Sequence, residues 1–244
     1  DALTFDKAKT TNIKGTGTTA GDVVLYRNVG VFGGVSIDAV VTTVSISAGS
    51  SISNYDNPGS ASTAAGYLNN FQLNTVGGSV QMQFDFYVSG SYTVAGSGSP
   101  VILQNVKITS IDLDTSGTTA YQYSDFTGFQ TYSMTADTNL LVQPLSSGAG
   151  ARFIAGKSGA RSSVPQDQVL IKYTTVTTLK VTFGNVTSGS TNYFGLMFGA
   201  WPGTGTPIEY PNVFNTPPTS SNTTLYVPAT DTTTLTKANF GNFS

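Results

Sequence analysis

The residues of this chain best suited to binding a metal ion lie in the stretch DLDTSG, from Asp112 to Gly117. Asp112, Asp114 and Ser116 occupy the first, third and fifth positions of a calcium-loop pattern, where each would supply an oxygen ligand. Tyr123 stands at the twelfth position, where such a loop carries a bidentate acid. The alternative interpretation is a solvated strand end followed by a glycine turn.

A calcium ion takes six to eight oxygen ligands, so the DLDTSG segment needs help from other strands. The candidates for that help are Asp125 and Asp38. The sequence therefore predicts a structural calcium ion, bound by Asp112, Asp114, Ser116 and these two acids, that ties strands together. A catalytic centre is the less favoured interpretation of the same acids.

The composition limits the chemistry that this chain can perform. It contains neither cysteine nor histidine among its 244 residues. A cysteine nucleophile, a Ser-His-Asp triad and histidine metal sites are therefore excluded. A glycosidase needs two acids across a cleft, and the single glutamate, Glu209, has no acid near it in the sequence. We expect a protein that is not an enzyme.

Three aromatic residues are candidates for a sugar-binding platform. Trp201, the only tryptophan, lies in the loop-like stretch GAWPGTG, with Tyr193 and Tyr210 nearby in the sequence. Aromatic rings can stack on sugars when they are exposed, but they more commonly fill β-sheet cores or subunit contacts. Both interpretations stay open from the sequence.

Charge and hydropathy exclude other partners. The net charge is −2, only 10% of residues are charged, and no run of lysine or arginine occurs. Nucleic-acid binding needs a basic surface, so we expect none. No window of 18 apolar residues occurs, which argues against a membrane-spanning helix. A low net charge also lowers the electrostatic barrier to self-association.

The elements that position these residues are predicted to be β-strands. The stretch SVQMQFDFYV alternates apolar and polar residues with a period of two. The stretch QVLIKYTTVTTLKVTF predicts one long strand or two in register, and VILQNVKITSIDLD changes parity, which predicts a bulge near Thr109 and Ser110. About ten strands separated by glycine and proline turns indicate an antiparallel, jelly-roll-like β-sandwich over residues 1–210. A short helix is predicted over residues 60–68.

The segment from Pro211 to Ser244 is rich in proline, threonine, serine and asparagine. It predicts an extended arm that packs on the domain or on a neighbouring subunit. Two strand-like stretches near the chain ends could complete a neighbour's sheet. They are ALTF, with Leu3 and Phe5, and TLYV, with Leu225, Tyr226 and Val227. Glycosylation sequons occur at Asn185, Asn222 and Asn242.

Three stretches in succession carry a resemblance to a known class of domains. VGVFGGVSIDAVV, VQMQFDFYVSG and VILQNVKITSIDLDTSG together resemble secreted bacterial surface and adhesin-type β-sandwich domains, over about residues 29–129. The resemblance implies an extracellular, non-enzymatic sandwich. It also implies a metal-binding role for Asp112 and Asp114, and more loosely for Asp38.

These observations favour an extracellular structural or adhesive surface protein that self-assembles into a fibre or pilus-like polymer through terminal strands. The alternative is a calcium-dependent carbohydrate-binding module or adhesin domain.

Overall fold

The fold is all-β, as the sequence predicts. The computed structural model describes residues 2–56, 71–94, 96–116, 120–157, 164–186, 191–199, 201 and 205–214. Within these ranges the regular elements are β-strands and two short 3-10 helices, Lys7–Lys9 and Pro165–Asp167. None of the described segments is a helix long and apolar enough to cross a membrane. The helix predicted over residues 60–68 lies outside the described residues.

The strands form two antiparallel sheets. The nine-stranded sheet contains, in spatial order, β1 (Thr10–Lys14), β2 (Val23–Phe32), β3 (Val35–Ile46), β6 (Ser79–Val88), β14 (Thr178–Asn185), β9 (Ala120–Thr127), β12 (Gly150–Ala155) and β11 (Leu140–Pro144), with β8 (Thr115–Ser116) paired to β9. The seven-stranded sheet contains, in spatial order, β16 (Ile208–Pro211), β10 (Thr131–Met134), β13 (Val169–Val176), β7 (Leu103–Ile111), β15 (Thr191–Phe198), β5 (Phe71–Val76) and β4 (Ser51–Tyr55).

The two sheets enclose one apolar core, which confirms the predicted sandwich. On β6 the alternation places Val80, Met82, Phe84 and Phe86 in the core. Aromatic rings interlock at its centre, where the rings of Phe71 and Phe84 lie 5.1 Å apart at nearly a right angle. Edge-to-face contacts of this kind add to the stabilisation that burial provides.

The stretch QVLIKYTTVTTLKVTF forms two strands that belong to different sheets. Val176, the last residue of β13, pairs with Leu103 in the seven-stranded sheet, and Thr178, the first residue of β14, pairs with Asp85 in the nine-stranded sheet. The chain crosses between the layers at Thr177 alone. The prediction of a continuous register was wrong because odd-numbered residues face the core on both sides of the crossing, Ile171 and Tyr173 on β13 and Leu179 and Val181 on β14, so their parity does not reveal it.

The bulge predicted near Thr109 and Ser110 is absent. Both residues pair in unbroken register with β13, and Thr109 and Ser110 also pair with β15. The apparent change of parity arises because Ile108, Thr109, Ser110 and Ile111 are all buried. Where both faces of a strand are covered, its sequence loses the alternation of apolar and polar residues.

The segment that contains ALTF packs in the core of its own chain and is not a separate strand. The amide of Leu3 donates to the carbonyl of Phe198 at 3.0 Å, and the amide of Thr4 donates to the carbonyl of Val29 at 2.7 Å. The segment thus joins the two sheets. Leu3 and Phe5 are both buried, so the structure does not present them to a neighbouring subunit.

At the other end of the described chain, β16 pairs with β10, and Phe214 beyond it is buried in the core. Residues 210–214 therefore belong to the sandwich. The rest of the predicted arm lies outside the described residues, including Leu225, Tyr226 and Val227.

Candidate functional site

Asp38, a predicted calcium ligand, holds together irregular backbone in the nine-stranded sheet. Its side chain is fully buried. One carboxylate oxygen accepts from the amide of Asn28 at 2.8 Å and the hydroxyl of Ser89 at 2.7 Å, and the other accepts from Arg27 and the amide of Gly90, both at 2.9 Å. Burial alone would raise the pKa of Asp38, but these hydrogen bonds outweigh it and lower the pKa. Four donors occupy the carboxylate, which leaves no position for a cation.

Asp125, the second distant acid, is bound by an arginine. Arg152 donates to both of its carboxylate oxygens, at 2.7 and 2.9 Å, in a bidentate pair. The guanidinium of Arg152 also lies over the ring of Tyr123, 3.7 Å from its centre. Burial raises the pKa of Asp125, and the hydrogen bond and charge of Arg152 offset only part of that increase.

Asp112 and Asp114 lie just beyond the end of β7. The strand ends at Ile111, and Asp112 has a left-handed backbone conformation with φ of 64°. The alternation of side chains along β7 therefore does not continue through Asp112 and Asp114. Both residues are nonetheless buried, each 8% exposed. The amide of Asp114 donates to the side-chain oxygen of Gln122 at 2.9 Å, which fixes this connection against β9.

The structure does not assemble the predicted five-residue calcium site. Strand register separates Asp38 from Asp125 by three strand spacings and six residues, roughly 25 Å. Ser116 pairs with Ala120, and its side chain lies outside the described residues. In the described part of the chain, no three acidic residues cluster to hold a metal. Calcium binding stays a prediction for Asp112 and Asp114, which lie together because they are near in sequence.

The three predicted sugar-binding aromatics do not form one platform. Tyr210 on β16 stacks on Tyr132, with ring centres 5.2 Å apart. Tyr193 on β15 is 37% exposed and lies four strand spacings from β16, at least roughly 19 Å. Trp201 is half-buried, and its indole nitrogen has no hydrogen-bond partner among the described residues.

One end of the sandwich interior is polar. Strand register places Gln122, Asn185, Asn192 and Thr75 on inward-facing positions there. The side-chain amide of Gln122 donates to the carbonyl of Tyr193 at 2.7 Å, which joins the two sheets. Asn185 is only 7% exposed, so the sequon at this position is not presented to solvent in the folded chain. The sequons at Asn222 and Asn242 lie outside the described residues.

The opposite end of the sandwich is apolar and open. Phe32, Val35, Val88, Val101 and Ile102, together called the apolar pole, line most of a shallow depression of about 400 Å³. Val88 continues the core-facing row of β6, yet it is 36% exposed, and Ile102 is 59% exposed. The core therefore reaches the surface at this end.

This surface was not predicted from the sequence. A usable signal was present in the stretch VGVFGGVSI, where large apolar residues flank the two glycines of the β2–β3 turn. Turn-flanking positions are normally polar because they face water. Apolar residues on both sides of such a turn indicate a contact surface.

Comparisons with known proteins give a limited result. No family model matches this chain, and no curated protein matches it. A solved structure, the N-terminal domain of an adhesin from Streptococcus gordonii, superposes with a TM-score of 0.47 and 12% sequence identity. The superposition covers 82% of this chain and 52% of that chain, so the present chain spans about half of the adhesin structure.

Proposed function

We propose that this chain is an extracellular, non-enzymatic domain of a surface protein, with a structural or adhesive role, and that it self-associates. The observation that carries the proposal is the apolar pole. A folded domain seldom leaves a contiguous row of core residues facing water unless another surface covers it.

The composition of the apolar pole favours a second copy of the chain as its cover. The residues that line the depression carry no charge; the polar exception among them is Gln104. Bringing two such surfaces together removes apolar area from water at roughly 25 cal/mol per Å² and leaves no charge to desolvate. The simplest contact pairs the same patch on both copies around a two-fold axis.

A polymer needs a second contact, and the edge of the nine-stranded sheet is suited to it. β1 is the outermost strand, and it is mostly exposed. No strand of the described chain pairs with its free edge. Edge-to-edge pairing would supply backbone hydrogen bonds between subunits. Leu225, Tyr226 and Val227 of the predicted arm are a further candidate for this role.

Introducing charges at the apolar pole tests the proposal. The double variant Val88→Lys/Ile102→Lys places two charges in the proposed contact, and Val94→Lys is the matched control because Val94 is 79% exposed and does not line the depression. We expect the wild type to exceed its 25.4 kDa monomer mass as concentration rises, and the double variant to stay monomeric. Light scattering after size-exclusion chromatography measures the mass. A monomeric wild type, or a double variant that associates like Val94→Lys, contradicts the proposal.

Removing residues 220–244 tests the arm separately. If the arm supplies the second contact, the truncated chain should form dimers through the apolar pole but no longer assemblies, which negative-stain electron microscopy can distinguish. Normal polymers from the truncated chain would exclude the arm and leave the β1 edge as the candidate.

A second candidate function is carbohydrate binding. It is favoured by Tyr87 and Tyr92, whose rings lie 4.9 Å apart at the outer face of the nine-stranded sheet. Neither belongs to the three aromatics predicted from the sequence.

A further inference from the structure

The outer face of the nine-stranded sheet carries a row of polar side chains across β6 and β14. Cross-strand pairing sets Asp85 opposite Thr178, and it sets two further polar pairs alongside. These residues are called the polar strip and comprise Gln81, Gln83, Asp85, Thr178, Lys180 and Thr182. All six are exposed or half-buried.

Hydrogen bonds hold part of the polar strip in place. Asp85 accepts from the side-chain amide of Gln83 at 2.7 Å and from the hydroxyl of Thr178 at 2.6 Å. The side-chain amide of Gln81 donates to the hydroxyl of Thr182 at 3.2 Å. The donors and acceptors are thus arranged before any ligand arrives, which reduces the ordering cost of binding.

Two tyrosines stand at one end of the polar strip. The rings of Tyr87 and Tyr92 lie 4.9 Å apart and are tilted by 55°. The close approach depends on Gly98, because a Cβ atom there would lie 2.8 Å from the ring of Tyr87 and 3.0 Å from the Cα of Tyr92. Both rings remain half-buried, with part of each facing solvent.

The charge of Asp85, a member of the polar strip, acts on both tyrosines. Burial raises the pKa of both Tyr87 and Tyr92, and the charge of Asp85 adds to the increase in each case. Both hydroxyls therefore remain protonated donors at neutral pH, within the electrostatic range of one carboxylate.

We propose that the polar strip and the tyrosine pair bind a neutral glycan chain. A sugar presents apolar C–H faces and many hydroxyl groups. Tyrosine offers a ring face for the former and a polar tip for the latter. Carboxylate and amide oxygens accept from sugar hydroxyls, and amide, hydroxyl and ammonium groups donate to them. From Gln81 to Tyr87 the surface extends roughly 20 Å, long enough for several sugar units.

The charge of this surface selects the class of ligand. The strip holds one carboxylate, Asp85, and one ammonium group, Lys180, so its charges cancel. Nucleic acids and polyanionic sugars require several cations, which the strip does not supply. An uncharged oligosaccharide is the ligand that this balance fits.

This inference deepens the proposed adhesive role but does not depend on self-association, because the polar strip and the apolar pole share no residue. The test applies the full-length chain to an array of neutral, sialylated and uronate-containing oligosaccharides. Affinity for the neutral oligosaccharides that bind is then measured by calorimetry. We expect Tyr92→Ala and Asp85→Asn each to weaken binding by at least about tenfold.

Ile208→Ala is the control, since Ile208 is an exposed apolar residue on the other sheet, and it should bind like the wild type. If Tyr92→Ala lowers the melting temperature, the shape-preserving Asp85→Asn decides the question. Any of these results would overturn the inference: no neutral ligand on the array, binding of anionic sugars alone, unchanged affinity in Asp85→Asn, or loss of binding in Ile208→Ala. Binding that vanishes with a calcium chelator would also contradict it, and would favour a metal-dependent site elsewhere. The Val88→Lys/Ile102→Lys variant should still bind the neutral oligosaccharide. Loss of self-association can therefore be distinguished from loss of glycan binding.

Discussion

The guanidinium of Arg27 lies 2.9 Å from the carboxylate of Asp38, and this pair fastens a bulged strand to its neighbour. The register between β2 and β3 shifts between Tyr26 and Gly30, and Asn28 within the shift has a positive φ of 51°. The amide of Asn28 points at Asp38 because of that turn. The aspartate of the SIDA stretch therefore stabilises irregular backbone.

Replacing Asp38 should reveal this role in the pH dependence of stability. We expect Asp38→Asn to lower the free energy of unfolding by about 1.5–3 kcal/mol at pH 7, the usual range for hydrogen bonds to a charged group. The pKa of Asp38 is lowered in the folded state, so its contribution is present above the unfolded pKa and disappears as pH falls through the folded pKa. The difference between wild type and variant should therefore shrink below about pH 4.

Thermal denaturation between pH 7 and pH 2 measures this difference. Asp6→Asn is the control, because Asp6 is a surface carboxylate whose pair with Lys9, at 3.5 Å, is exposed to solvent. A stability deficit in Asp38→Asn that stays constant across the pH range would contradict the prediction.

Substitutions of Arg152 test how far its ion pair with Asp125 depends on charge and how far on bidentate geometry. Arg152→Met leaves Asp125 buried without a partner and should cost about 3–5 kcal/mol. Arg152→Lys retains the charge but loses the bidentate contact and the flat packing on Tyr123, so we expect a smaller loss, about 1–2 kcal/mol. Because burial raises the pKa of Asp125, the deficit of Arg152→Met should diminish as acid protonates that carboxylate in the folded state. Urea denaturation at pH 7 and pH 4 measures the stability loss of each variant and its pH dependence. Equal losses of stability in Arg152→Met and Arg152→Lys would argue against a role for the bidentate geometry.

Strands with one buried face could be predicted closely from the sequence. β6 was predicted with its observed bounds, because its alternation reflects a single core-facing side. β7 was misinterpreted because both of its faces are covered near Ile108–Ile111. The crossing at Thr177 was missed because the two strands that flank it keep the same parity while they pair with different sheets.

The partners of the acidic residues could not be predicted for a different reason. Arg27 and Arg152 reach Asp38 and Asp125 from neighbouring strands, 11 and 27 residues away along the chain. Pairing at that separation depends on register, which no local pattern encodes. Tyr92 likewise meets Tyr87 only because a loop folds back over Gly98.

Substitution of Phe5 tests whether the segment that contains ALTF packs in the core of its own chain or in that of a neighbouring subunit. Its ring contacts those of Tyr26, Phe84 and Phe198 at centre distances of 4.8–5.8 Å. We expect Phe5→Ala to destabilise the fold by about 3–5 kcal/mol. The loss should be the same at low and high protein concentration, since the contacts lie within one chain. A deficit that appears only at concentrations where the protein self-associates would mean that Phe5 inserts into a neighbouring subunit. Lys9→Ala, an exposed neighbour, is the control.

Calcium titration tests the remaining metal prediction at Asp112 and Asp114. An ion that binds only the folded state at a concentration 100 times its dissociation constant would stabilise the wild type by about 2.7 kcal/mol. Asp112→Asn/Asp114→Asn should abolish that increase in melting temperature. Asp38→Asn should retain the calcium-dependent increase, although its melting temperature without calcium is lower. The reason is that the carboxylate of Asp38, on β3, already accepts hydrogen bonds from Arg27 and from backbone amides. Magnesium should stabilise the protein less than calcium, because Mg²⁺ is smaller and demands a stricter octahedral geometry. A wild type that melts identically with calcium and with chelator excludes the site, and an equal calcium response in the double variant places the ion elsewhere.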